Sequence, residues 1–129
     1  MAKIINQRHR VPNTPGKKII EELVGVKTTK QDDLSIAHML MPAGWREEGF
    51  HSSAYHEYAV IIKGELTIID NGVKIVVKAG EIGDIPPTKN MLFRNDGKEV
   101  CEYWAICRPA YQLHLADYSQ SQVYLDEQK

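Results

Sequence analysis

The chain has 129 residues, with 16 Lys plus Arg against 17 Asp plus Glu and a formal charge of −1. That length fits one compact domain, and charge so near balance provides no basic field to gather nucleic acid or an anionic membrane surface. The hydrophobic content of 43% is ordinary for a globular protein. Apolar runs such as Ala59-Val60-Ile61-Ile62 are too short to cross a bilayer. Met1-Ala2-Lys3-Ile4-Ile5-Asn6 turns polar too early for a signal peptide, so a cytoplasmic location is expected.

Residues 1–18 are basic and rich in turn formers (Arg8, Arg10, Pro12, Asn13, Pro15, Gly16, Lys17, Lys18), and they read as an N-terminal arm. From there the apolar stretches are short: Ile19–Val26, Leu34–Met41, Tyr58–Ile62, Leu66–Ile69, Val73–Val77, Ile82–Ile85, Met91–Phe93 and Val100–Cys107. A helix over Lys17–Leu23 is an alternative for the first stretch, weakened by Gly25 and the β-branched residues around it. Turn signals separate the stretches, among them Pro42-Ala43-Gly44, Lys63-Gly64 and Asp96-Gly97. Asn71-Gly72, between two β-branched runs, predicts a hairpin, because a type I′ turn needs two residues tolerant of positive φ. Eight short strands with regular turns predict an all-β sandwich or barrel over residues 19–110. Residues 111–129 are polar with scattered Tyr and Leu, and are expected to form a tail packing on the barrel or on a dimer partner. Cys101 and Cys107 lie six apart on one predicted strand, about 20 Å at roughly 3.3 Å per residue. That is too far for a disulfide, so both are expected to be reduced, buried thiols.

The stretch from Gly44 to Asn95 holds the spacing that carries chemistry. His51, Ser53 and His56-Glu57 are followed by Gly64, with six residues between Glu57 and Gly64. Gly80 and Pro86 have five residues between them, and Met91 and Asn95 follow. This skeleton resembles the two motifs of the cupin superfamily, whose fold is a double-stranded β-helix or jelly-roll barrel. Tyr55-His56-Glu57 with Gly64-Glu65-Leu66 is also similar to the cupin half of ethanolamine-utilisation proteins, which lacks the metal histidines and keeps the Glu. The resemblance implies an all-β cupin barrel, a homodimer and a small-molecule ligand in the barrel; the balanced charge and short apolar runs lead to the expectation of no nucleic-acid or membrane partner.

In metal-binding cupins, two His and the Glu of the first motif join the His of the second to hold a divalent ion. The corresponding positions here are His51, Ser53, Glu57 and Met91. Hydroxyl and thioether are poor replacements for imidazole, and two retained ligands hold an ion weakly, so no metal cofactor is expected. Strand alternation puts His51, Ser53 and Glu57 on one face and His56 on the other, unless a bulge near Ala54-Tyr55 turns His56 inward. The alternative is therefore an irregular metal site using His51, Glu57 and a recruited His56 or His38.

Glu57 is the candidate acid/base, because an inward carboxyl is desolvated and its pKa rises toward the working pH; a structural hydrogen bond to Tyr103 or Ser53 is the competing role. In the last strand Cys101, Tyr103, Ala105 and Cys107 share one face. Their small size at three of four positions favours that face as the interior, which sets Tyr103 beside Glu57. The residues expected to line the pocket are His51, Ser53, Glu57, Met91 and Tyr103. Trp45 and the pair Glu47-Glu48 are placed in the loop at the mouth, Trp45 as a ligand-stacking ring or a half-buried anchor. Lys89-Asn90 is placed in a loop at the same rim. Three functions fit these residues: a binder of a small polar metabolite with metal-independent acid/base chemistry at Glu57, an irregular metalloenzyme, or a sensor or accessory protein without chemistry.

Overall fold

The computed structural model describes residues 1–126. Its strands are β1 (His9–Arg10), β2 (Ile19–Val24), β3 (Ser35–Met41), β4 (Trp45–Gly49), β5 (His51–Ser53), β6 (His56–Lys63) and β7 (Glu65–Asp70). They continue as β8 (Val73–Lys78), β9 (Ile82–Ile85), β10 (Thr88–Arg94), β11 (Cys101–Arg108), β12 (Ala116–Asp117) and β13 (Ser121–Leu125). All eight predicted stretches are strands. The helix considered over Lys17–Leu23 is not formed: a single 3-10 turn at Pro15–Lys17 leads directly into β2. Ile19, Ile20 and Val24 favour the extended form, and pairing with β3 supplies the hydrogen bonds that a short isolated helix would lack.

Every pairing is antiparallel. One sheet runs β1-β2-β3-β11-β6-β9. The other is built around β10, which pairs with β7 on one side and with β5 and β4 on the other; β8 continues from β7, and β12 and β13 lie outside β5 and β4. The two sheets face each other over a core that includes Met41, Ile61, Leu66, Ile68, Ile85, Phe93 and Tyr103. The hairpin forms as its dipeptide requires: Asn71 and Gly72 take φ of 49° and 80°, and Asp70 pairs with Val73.

Parts of both terminal segments belong to these sheets. β1 pairs with β2 inside the segment read as an arm, and residues 116–125 of the segment read as a tail add two strands to the second sheet. The tail's backbone crosses so close to Gly49 that a Cβ built there would stand 1.8 Å from the Gln120 carbonyl oxygen, and Gly49 has φ +79°. Only glycine meets both conditions. Asn95 ties the barrel's corner together. Its buried amide donates to the carbonyls of Met41, Pro42 and Glu99 at 3.0, 3.1 and 3.0 Å, and its oxygen accepts from the Gly97 N–H.

Candidate functional site

Inward parity is set by the two-residue period of the strands. His51, Ser53, Tyr55 and Glu57 are all buried, and so are Cys101, Tyr103, Ala105 and Cys107 of β11. The register pairs Cys107 with Glu57 and Met91 with His51, so both motifs converge on the interior. His56 points the other way, bonded to Asp84 and stacked on Tyr58. His38 lies on the outer face as well, 2.7 Å from Glu102 and against Trp104. Neither of the histidines considered for recruitment joins His51 and Glu57.

Glu57 is buried, and among the described residues its one hydrogen-bond contact is the Cys107 thiol, 3.9 Å away. The structural bonds expected from Tyr103 or Ser53 do not form. The hydroxyls of both are buried without a partner among the described residues. Desolvation pushes the Glu57 carboxyl up from the usual range, while Lys18 and then His51 pull it back. Burial also drives the Tyr103 phenol well up, with Glu57 adding to the rise. The Cys101 thiol is pushed up to about 12 by burial, and Cys107 is raised for the same reason with Glu57 contributing. Both cysteines are free, buried and protonated at neutral pH, hence poor nucleophiles.

His51 is held by a residue the sequence misplaced. Glu47 is in strand β4 and not in a mouth loop, and the alternation from Trp45 carries it inward. Its carboxylate accepts from the Phe93 N–H at 3.0 Å and from the Ser121 hydroxyl, and it meets His51 Nδ1 at 2.7 Å. With Nδ1–H donated to Glu47, His51 Nε2 is left as the basic nitrogen, an arrangement that fixes the tautomer of a general base. Tyr118 from the tail stacks on the imidazole at 5.0 Å and Phe93 meets it edge-on at 5.4 Å.

Trp45 is likewise buried at the start of β4. Its indole N–H donates to the Pro15 carbonyl at 3.0 Å, so it anchors the N-terminal segment. Lys18, the residue before β2, sends its ammonium inside, 5.0 Å from the Trp45 ring centroid. A charge in a basic leader reads as solvated, and no local signal distinguished Lys18 from Lys17. For Glu47 the signal was present, since residues 45–49 after the Pro42-Ala43-Gly44 turn alternate like a strand.

An open groove of about 620 Å³ lies elsewhere, bounded by Ser52, Ser53, Pro87, Thr88, His114 and Asp117 among others. Glu57, Tyr103 and Lys18 do not line it. This groove and the polar cluster are separate places, and Ser53 is the predicted pocket residue found at the groove. Lys89 and Asn90, expected in a loop, are exposed in β10, and Lys89 also borders this groove.

A family model described as Cupin domain matches residues 37–107. The chain belongs to the cupin domain family. Among solved structures, this cupin is similar to ectoine synthase from P. lautus (TM-score 0.68, 15% identity, 90% of this chain and 82% of that one). It also resembles the RmlC-like cupin of Methanocaldococcus jannaschii (TM-score 0.62, 24% identity, 84% and 94% covered). A third similar structure is the EutQ protein of Clostridium difficile (TM-score 0.57, 21% identity, 73% and 65% covered). At these identities the likeness is one of fold. A Myxococcus xanthus protein named endoribonuclease YbeY is 42% identical over 106 residues, covering 82% of this chain and 35% of that protein. The chain thus spans about a third of that relative's length.

The four cupin metal positions carry an incomplete donor set. They hold His51, Ser53, Glu57 and Met91, and no three His, Cys, Asp or Glu side chains among the described residues are grouped to share an ion. One imidazole and one carboxylate do not fit a transition-metal centre. No helix is long and apolar enough to cross a membrane among the described residues.

Proposed function

We propose that this cupin binds a small polar metabolite inside its barrel and acts on it without a metal, Glu57 and His51 serving as an acid/base pair. The observation that carries this reading is Glu57. It is a buried carboxyl with no strong hydrogen bond of its own, beside a histidine whose other nitrogen is committed to Glu47. Burial favours the protonated carboxyl, which suits it to give a proton, while His51 Nε2 is placed to take one. Glu47 is a positioning residue in this scheme, and Met91 and Tyr103 wall the site.

A ligand screen of wild type and Glu57→Gln, paired with elemental analysis of protein purified without a metal-chelating tag, tests the reading. Binding or turnover weakened by Glu57→Gln, with no stoichiometric metal, is the expected result. One equivalent of iron, nickel, manganese or zinc surviving dialysis overturns it.

A second reading, a sensor or accessory module without chemistry, draws on the 42% identity to part of a longer protein that carries an endoribonuclease name. Ligand binding by wild type and Glu57→Gln alike, with no product from either, selects it.

A further inference from the structure

The barrel contains one cation that the acid/base scheme does not use. Lys18 is 8% exposed, and its Nζ lies 5.0, 5.5 and 5.8 Å from the ring centroids of Trp45, Tyr103 and Phe93. Aromatic faces attract an ammonium but accept none of its three hydrogen bonds in the way an oxygen does. The hydrogen bonds and salt bridges among the described residues include none from the Lys18 ammonium; only the Lys18 carbonyl accepts, from Thr14. The segment that delivers it is pinned by the Trp45–Pro15 bond and by the Thr14 hydroxyl on the Lys18 carbonyl, so the placement is built into the fold.

Three titratable groups face this ammonium: Glu57, Glu47 and Cys101. Glu47 is already taken by Phe93, His51 and Ser121, and the Cys101 thiol is protonated. Glu57 is the remaining acceptor, and it too is unpaired with Lys18. The Tyr103 ring, whose centroid lies 5.5 Å from the cation, carries a hydroxyl that is buried and without a partner among the described residues. Native interiors satisfy nearly all such groups, so an unbonded ammonium over the ring of a tyrosine whose hydroxyl is also unmet marks the place of a missing acceptor.

The chemistry of that acceptor is narrow. A cationic ligand is repelled by Lys18. A neutral polyol would leave the Lys18 charge uncompensated. A phosphate normally finds a cluster of backbone N–H groups or an arginine fork, whereas the groups placed around Lys18 are aromatic rings and carboxyls. A planar carboxylate can take one hydrogen bond from the ammonium and one from the phenol while its carbon skeleton rests on the aromatic rings. We propose that Lys18 and Tyr103 form a carboxylate-binding subsite, and that the ligand of this cupin is a small carboxylic acid whose remaining atoms face Glu57 and His51. The proposal rests on the reading of the barrel as the ligand site and names the ligand's class.

The test titrates the full chain with acetate and pyruvate, against acetamide and ethylammonium as neutral and cationic matches, at constant ionic strength. Binding is followed by calorimetry and by chemical-shift changes at the interior residues, in wild type, Lys18→Met and Tyr103→Phe. The two carboxylates are expected to bind, with affinity lowered about tenfold or more by Lys18→Met and several-fold by Tyr103→Phe. The matched probes should leave the interior signals unmoved. Acetamide or ethylammonium binding as well as acetate, or carboxylate binding indifferent to Lys18→Met, overturns the subsite while leaving the barrel as a ligand site. Failure of every probe to reach the interior overturns both readings. If Lys18→Met does not fold, Tyr103→Phe and the probe series decide the matter.

Discussion

Tyr103→Phe should make this protein more stable. The hydroxyl of Tyr103 is buried in a residue with 0% exposure, and no group among the described residues bonds it. A buried polar group left unsatisfied costs about 1–3 kcal/mol, and removing it with the ring kept in place opens almost no cavity. The net change is therefore a gain of about 1–2 kcal/mol, or roughly 3–8 °C in Tm for a domain of this size. Urea unfolding of both proteins, fitted with a common slope, measures it directly. The same variant should weaken carboxylate binding, so stability and affinity move in opposite directions. A loss of 0.5 kcal/mol or more, by contrast, would show that the hydroxyl has a partner in the folded protein and would refute the reasoning for an open donor.

The Gly72→Val variant should lose about 1 kcal/mol or more: no atom crowds Gly72, so the cost lies in forcing a β-branched residue to a φ of 80°. Asn95→Ala, which strands three carbonyls and one N–H, should cost about 3 kcal/mol or more in the same urea assay. The folded-state pKa of Glu57 lies above its unfolded 4.5, so its contribution to stability is present below that value and is lost as pH rises through the raised one. Glu57→Gln should accordingly gain on wild type as pH rises above the unfolded value of 4.5, and a difference that stays constant with pH would contradict it. Ile62, Val73, Ile75 and Ile82 are exposed on β6, β8 and β9, a surface suited to a second copy of the chain. Light scattering at micromolar concentration should give about twice the 14.7 kDa of one chain, and the single-chain mass would refute a dimer.

The strands were legible because each of the eight apolar stretches is bounded by turn chemistry, and the hairpin at Asn71-Gly72 is a local property of two residues. Period-two alternation also sorted His51, Ser53 and Glu57 from His56, since the side-chain direction follows from the backbone alone. Residues whose role depends on distant partners were hidden. Lys18 looks like any lysine in a basic leader until Trp45 and Phe93, brought from β4 and β10, surround it. Glu47 becomes the holder of His51 only when Phe93 and Ser121, 46 and 74 residues away in sequence, close around its carboxylate. Where the chain extends, where it turns and which residues share a face can be read from the residues alone, because those follow from backbone sterics and the pleat. Tertiary structure decided which polar groups meet inside the barrel and which stay unpartnered, because hydrogen bonding and desolvation depend on neighbours that only folding brings together.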